Sequence, residues 1–499
     1  MVTVRTRRLP GAVRLPALTS AIAVLIALAG CGGSHGGAKR REPVTLRIGF
    51  GLAAGASADF GIAQAVRNMA VEQLMSIPRD GRTGPRLAAG WSASADGLTL
   101  RVHLRPAITF DDGRPVNAAA VCAVLQADLP DALGPAFEDI AAIRAISALD
   151  VEFTLRQRST FLLEALGSVS IADPTSKESG TGPFSVQARS HGEVEMRANA
   201  RYYGGMPLID RVILKPYASV RSAWADMLRG QVDMLYEVGV DALDSLESSN
   251  DVNIFTFQRT YAYLLLLNVR KPALRDPAFR RRLNAAIDRR ALIDDVLRGH
   301  GTPAEGPISP RHWAYTADLP PFTFQPAAAV PDRSPHRLTV LFAEPSLERL
   351  AIAIQRQLQA AGVEITLAPV TADEFDSRLR AGNFDAVLSD YLLGPNLVRP
   401  YKYWYSNGPL NFGHYRSKAV DDALDGIRRA ADDNGYKAGV AAFWRAIVND
   451  PPAVFLAWPE RARAVSTRFS VPVDADRDIF PSTLHLWKPA AETQQSARR

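Results

Sequence analysis

The stretch from Leu338 to Ser389 constrains the fold more than any other part of this sequence. Leu338, Val340 and Phe342 alternate as a strand does. Ser346 stands where a helix cap belongs, followed by an apolar face of Leu347, Leu350, Ile354 and Leu358 that ends at Gly362. Val363, Ile365 and Leu367 alternate again. Thr371 with Glu374 makes a capping box for a second helix carrying Phe375 and Leu379 and ending near Gly382, and Phe384 to Ser389 reads as a third strand. Two parallel strands need a crossover that a helix supplies, so this succession with short connections predicts a parallel α/β sheet. Ligands of such sheets sit beyond the carboxyl ends of the strands. The corner at Asp390-Tyr391 is therefore the first candidate site.

The earlier part of the chain reads as mixed sheet with helices attached. Val44, Leu46, Ile48 and Phe50 share one face of a strand. The strand runs into Gly51-Leu52-Ala53-Ala54-Gly55, where small residues let the backbone approach a ligand closely, which makes Gly51 and Ala53 candidates. A helix is predicted over about Ile62–Met75, and a strand over Leu98–Leu104 after the turn signal Asp96-Gly97. Strand and turn signals recur at Thr181–Val186 and Arg211–Tyr217. Later, Asp276 caps and Pro277 opens a helix lined by Phe279, Leu283, Ile287, Ile293 and Leu297 until Gly299.

The first residues bear on compartment. Arg5, Arg7, Arg8 and Arg14 precede an apolar run, Leu15 to Ala29, that is too short to span a bilayer comfortably. Residues 1–30 thus read as a secretory signal, and Leu28-Ala29-Gly30-Cys31 resembles a bacterial lipobox, which implies cleavage before Cys31 and lipidation of its thiol. Residues 31–43 are small, polar and basic, as a flexible linker is. Gly32-x-Ser34-x-Gly36 within them lacks the strand and helix that a nucleophile elbow needs. With Cys31 lipidated, Cys122 is the one remaining cysteine, so no intrachain disulfide forms. It sits in an apolar helical stretch and reads as a buried small hydrophobe. The tail, 489–499, is polar and reads as disordered.

Composition excludes more than it selects. A hydrophobic share of 47% and a charged share of 22% are ordinary for a globular chain, and the excess of basic residues, +6, is spread along it. No basic cluster is interleaved with aromatics, so nucleic acid is not an expected partner. There is no HExxH, CxxC or P-loop, and the eight histidines show no pair at ligand spacing. Asp111-Asp112 runs into Gly113-Arg114-Pro115 and reads as a solvated turn. No catalytic residue, metal or cofactor is expected, and the chain is expected not to be an enzyme.

An ordered set of segments carries a family resemblance. Pro85-Arg86-Leu87-Ala88-Ala89-Gly90-Trp91, Ser94-Ala95-Asp96-Gly97-Leu98-Thr99, His103-Leu104-Arg105 and Phe110-Asp111-Asp112-Gly113-Arg114-Pro115-Val116 come first. Gly180-Thr181-Gly182-Pro183-Phe184, Asn199-x-x-Tyr202-Tyr203-Gly204-Gly205, Leu228-Arg229-Gly230-Gln231-Val232-Asp233, then Asn268 and Arg280 to Arg289 follow in order. The set resembles the extracellular solute-binding proteins of the peptide/nickel ABC-transporter class, family 5. The resemblance implies an α/β, two-lobed periplasmic-binding-protein fold with mixed sheets and an extra subdomain in the first lobe. Residues 44–258 and 455–488 would form that larger lobe and 259–454 the second. It further implies a monomer that captures a small solute, an oligopeptide or a related molecule, and hands it to an ABC permease from the periplasm or cell surface. A member that transports nothing and acts as a ligand sensor or periplasmic chaperone is the alternative.

One departure from the family concerns the ligand. In its peptide binders the strand matching Phe384–Ser389 runs into a Trp-x-x-Asp-like segment whose Asp pairs with the peptide's amino terminus. Here Asp390 stands for that Trp and Leu393 for that Asp. Either Asp390 takes the role from a shifted position, or the ligand is not a peptide with a free amino end, since a buried ammonium without a carboxylate is costly. Asp390, Tyr391 and Leu393 are therefore candidate ligand residues. Tyr401, Tyr403, Trp404 and Tyr405 cluster nearby, and Tyr403 and Trp404 are candidates for a pocket wall, with packing between lobes the competing reading.

Overall fold

Alternation at Leu46, Ile48 and Phe50 gives the buried strand β1 (Thr45–Phe50). Helix α1 (Ala58–Ala70) lays Ile62, Ala65, Val66 and Met69 into the same apolar cluster. It stops short of Met75 because the Gly180-Thr181-Gly182 turn crosses its end. A Cβ on Gly182 would stand 2.1 Å from the Met69 carbonyl oxygen, and the Gly182 N–H donates to the Ala70 carbonyl at 2.9 Å. The motif thus satisfies a carbonyl that the helix end leaves open.

The computed structural model describes residues 42–51, 58–173, 179–239, 242–243, 246, 249–258, 260–325, 336–473, 478–480 and 483–490. The leader, Cys31, most of the 31–43 linker, Ala53 and the tail beyond 490 lie outside the described residues. No helix among them is long and apolar enough to cross a membrane.

After α1 the chain enters a subdomain of β2 (Ala88–Ala93), β3 (Thr99–Leu104), α2 (Ala118–Leu133), β4 (Ile140–Ala145), β5 (Asp150–Leu155) and α3 (Thr160–Leu166). Its strands form a separate antiparallel sheet in the order β2-β3-β5-β4. Cys122 is buried in α2, unbonded, as a small apolar side chain. The chain returns through β6 (Phe184–Ser190), β7 (Glu193–Ala198), β8 (Arg211–Pro216), α4 (Val220–Leu228), β9 (Met234–Val238) and β10 (Val252–Gln258).

The second lobe opens with β11 (Tyr261–Leu267), α5 (Pro277–Ala285) and β12 (Gly301–Pro303). The expected strand–helix–strand–helix–strand unit follows as β13 (His336–Phe342), α6 (Glu348–Ala360), β14 (Val363–Pro369), α7 (Ala372–Ala381) and β15 (Ala386–Leu392). Helices α8 (Val398–Trp404), α9 (Lys418–Arg428) and α10 (Asp433–Asn449) lead to the long strand β16 (Ala453–Ser466). One sheet runs through both lobes in the order β6-β7-β8-β1-β9-β16-β11-β15-β13-β14, with β10 and β12 also paired to β16. β1 is parallel to both neighbours, and so is β13, which gives each lobe a parallel centre. Strand β16 joins them: Glu460–Ser466 pairs with β9 and β10, and Ala453–Pro459 with β11 and β12.

Three local expectations are corrected. Ser346 lies in a short 3-10 turn, Pro345–Leu347, that precedes α6 and does not cap it. The helix opened by Asp276 and Pro277 does not continue to Gly299. It ends at Ala285, and Asp288 starts a new turn by accepting from the Ala291 N–H at 3.0 Å. The third strand of the βαβαβ unit runs on to Leu392, because its antiparallel partner β11 pairs Tyr263 with Asp390 and Tyr261 with Leu392. Thr371 and Gly382 bound α7 as predicted, the first accepting from the Glu374 N–H and the second left-handed at φ 67°.

The subdomain is inserted within the first lobe in sequence but shares its apolar core with the second. Leu125, Phe153 and Phe161 belong to one cluster with Tyr401, Trp404, Leu424 and Trp444. Phe161 meets the Tyr401 ring edge-on at 5.3 Å, and the Thr160 hydroxyl donates to the Ile427 carbonyl at 3.0 Å. The fully buried Arg428 faces Asp425 at 2.8 Å and Asp139 of the subdomain at 3.2 Å.

Glu164 of α3 sits in the same interface. Its carboxylate accepts the Leu397 and Val398 N–H groups, each at 2.8 Å, and the Tyr436 hydroxyl at 2.7 Å. Burial outweighs these donors and pushes its pKa up to about 7. The folded state therefore prefers Glu164 protonated. The stability this confers is full below the unfolded carboxyl pKa and is lost as pH rises to about 7. A shift of this size is on the order of 3 kcal/mol. Measured as melting temperature against pH, the native protein is expected to lose stability between pH 5 and pH 8 relative to Glu164→Gln, whose amide does not titrate. Parallel curves would refute the protonated state.

Candidate functional site: the cleft between the lobes

A cleft of about 600 Å³ opens where the first lobe, the subdomain and the second lobe meet. Its walls come from distant segments: Gln64 and Asn68 of α1, Arg105 just after β3, Tyr202 and Tyr203 after β7, Phe257 and Gln258 at the end of β10, and Gly394 to Asn396 with Arg399 around the start of α8. The cleft does lie at the carboxyl end of β15, but its wall is formed by Leu392 and by Gly394 to Asn396 rather than by the Asp390-Tyr391 corner the sequence pattern points to.

Glu72 organises one wall. It is fully buried and accepts from Arg86 Nε, the Thr181 hydroxyl at 3.0 Å, and the Tyr202 and Tyr203 hydroxyls, both at 3.1 Å. Burial, with Glu72 adding to it, raises the pKa of both phenols. They remain protonated donors at any ordinary pH. Arg105 donates to the Arg86 carbonyl at 2.6 Å and lies over the Tyr203 ring at 5.7 Å.

Two arginines of β16 organise the wall near the crossing. Arg463 is held in a fork by Asp478 at 2.7 and 3.0 Å, donates to the Tyr236 carbonyl, and lies within 4.7 Å of the Tyr236 and Phe257 ring centres. Burial alone would lower its pKa, but Asp478 more than offsets this and leaves it raised. Arg461 binds Glu237 at 3.1 Å and the Tyr263 hydroxyl at 2.5 Å. Its pKa also stays raised, against burial, with Tyr263, Glu237 and Asp390 all acting to raise it.

The sequence candidates are placed as follows. Gly51 follows β1 and lies against the start of α4, where a Cβ would stand 2.4 Å from the Val220 nitrogen, so its smallness serves packing. Asp390 lies inside β15 opposite Tyr263, close enough to Arg461 to act on its charge, and off the cleft wall. Tyr391 is buried, with its ring edge-on to Tyr403 at 5.6 Å. Leu393 is buried behind the cleft, lining a cavity of about 20 Å³ with Ile308 and His312. Trp404 is buried beside Phe455, and Tyr403 packs between it and Tyr391. The aromatic cluster thus packs on itself and its neighbours, with Tyr401 and Trp404 buried and Tyr403 and Tyr405 half-buried, and none of its members lines the cleft.

What sequence reasoning passed over is Glu72, Arg105, Tyr202, Tyr203, Arg399 and Arg463. Arg105, Tyr202 and Tyr203 were in view inside the motif segments, and Thr181 of the Gly-Thr-Gly turn proves to hold Glu72. Glu72 itself carries no local signal. Among the described residues, no group of histidine, cysteine and carboxylate side chains has the arrangement of a metal site.

Comparison with known proteins places this architecture. The model for "bacterial extracellular solute-binding proteins, family 5 Middle" matches residues 82–411. The chain is 25% identical over 424 residues to the probable D,D-dipeptide-binding periplasmic protein DdpA of Escherichia coli, covering 77% of this chain and 82% of that one. Among solved structures, the oligopeptide-binding protein AppA from Bacillus subtilis, in complex with a nonapeptide, superposes with a TM-score of 0.74 at 20% identity, over 89% of this chain and 99% of that one. NikZ from Campylobacter jejuni, in complex with Ni(L-His), gives 0.75 at 22% identity and the same coverage. The expected two-lobed α/β fold with mixed sheets is thereby confirmed, and the chain belongs to the family 5 extracellular solute-binding proteins of bacteria.

Proposed function

We propose that this protein captures a small solute, an oligopeptide or a related molecule, in the cleft between its lobes and delivers it to an ABC permease without altering it. The observation that carries this reading is the cleft itself. Its volume of about 600 Å³ falls in the range of small-molecule sites, and its walls come from both lobes, so closing them encloses the solute. Strand β16 is one of the backbone connections that join the halves. Such connections serve as hinges, and the closed form is what a permease would recognise. Lipidation of Cys31 would tether a monomer to a membrane, in the periplasm or at the cell surface. Relatives with names that specify peptides support the solute class.

Native mass spectrometry of the intact purified protein tests the reading. A bound small molecule, released unchanged after incubation, is the expected result; a processed product, or no bound species from any small-molecule mixture, would overturn it. Anchoring is tested separately. Labelled palmitate is expected in the native protein and absent from Cys31→Ser, and label persisting in the variant would refute the tether.

A further inference from the structure

The charges of the cleft do not cancel. Five arginines line it (Arg79, Arg86, Arg105, Arg399 and Arg463) against three carboxylates (Glu72, Glu237 and Asp478). All three carboxylates are already engaged: Glu72 by Arg86 and three hydroxyls, Glu237 by Arg461, Asp478 by Arg463. Asp390, the nearest further carboxylate on β15, is engaged too and lies in the field of Arg461. Among the described residues, no carboxylate lining the cleft is left for a ligand ammonium.

Two guanidinium groups, by contrast, are left over. Arg105 binds a backbone carbonyl and a ring face, and no carboxylate among the described residues pairs with it. Arg399 forms neither a hydrogen bond nor an ion pair among the described residues, and its charge is felt by Tyr403 and Lys402. Both are half-buried and line the cleft, one from the subdomain side and one from α8 of the second lobe. While the cleft holds water, they are solvated. Closure around a ligand removes that water, and an unpaired guanidinium then becomes costly unless the ligand supplies the counter-charge.

Resting on the solute-capture reading, we propose that the solute is an oxyanion-bearing molecule, a carboxylate or phosphate compound, gripped between Arg105 and Arg399. A guanidinium fork matches either group, and the two sources differ in the mass of what is bound. Of the two alternatives the sequence leaves open, this favours the second: Asp390 is engaged within the protein, and among the described residues no cleft carboxylate is left for a free amino end.

The test uses the intact protein and a small-molecule extract of the bacterium that encodes it, divided on an anion exchanger at pH 7 into retained and unretained pools. Native mass spectrometry is expected to find bound species from the retained pool alone, with fragmentation assigning carboxylate or phosphate. Arg399→Ala is expected to weaken their binding about ten- to a hundredfold, and Arg399→Glu further, with unliganded melting temperatures unchanged because the side chain makes no bond to lose. Arg105→Ala is expected to weaken binding to a similar degree. Binding from the unretained pool alone, or full affinity in Arg399→Glu, would overturn the anionic class and leave solute capture standing. Binding from neither pool would overturn solute capture and this inference with it.

Discussion

Replacement of Glu72 with alanine is expected to destabilise the protein by about 3 kcal/mol and to abolish ligand binding. The carboxylate is fully buried and is the shared acceptor of Arg86, Thr181, Tyr202 and Tyr203. Its removal strands one guanidinium and three hydroxyls at once. Breaking a buried ion pair costs roughly 3–5 kcal/mol, and the lower figure applies here because the Arg86 side chain keeps 27% of its exposure and cleft water reaches it. Tyr203 also supports Arg105, so the binding wall loosens with it. Urea denaturation gives the stability loss as a fall in midpoint at constant slope. A double-mutant cycle with Arg86→Met isolates the pair: a coupling near zero would show that Glu72 is held by its hydroxyl donors alone.

Arg289→Ala is expected to cost still more, about 4 kcal/mol. The guanidinium is buried and donates to the carbonyls of Ala304, Phe455, Asn284, Ile287 and Phe322, and to the Asn284 side chain, at 2.8 to 3.3 Å. Its bonds go to backbone oxygens and an amide, and burial lowers its pKa to about 10. Deleting it leaves five carbonyls dry, each with a desolvation penalty of its own. Lysine is a poor substitute, since three donors on a single nitrogen do not reach six acceptors spread around a planar fork. Arg289→Lys is therefore expected to recover less than half of the loss. Recovery to native stability would mean that charge alone, without the fork, holds the site.

These two residues also show what sequence patterns make legible. Thr371 and Gly382 were readable because a cap depends on residues three or four apart. The βαβαβ order was readable for the same reason: each element carries its own period. The length of β15 was not, because its last residues are strand only by pairing with β11, which lies more than a hundred residues earlier in the chain. Nor was the break after Ala285, where the apolar period continues through Ile287 and Ile293 while Arg289 turns inward to collect carbonyls from three other segments. The cleft was the least legible part. Arg105, Arg399 and Glu72 come from segments without shared periodicity, and the charge left over at the cleft appears only once each carboxylate's partner is known. Tyr403 and Trp404 misled for the opposite reason: a dense aromatic cluster looks the same in a sequence whether it lines a pocket or fills a core.

Strand β16 sets an order of assembly. Every strand it pairs with, β9 and β10 in one lobe and β11 and β12 in the other, is made before it. As the chain leaves the ribosome, each lobe holds a sheet with its central partner missing, an open edge that no earlier segment fills. The halves are then completed together, by one segment.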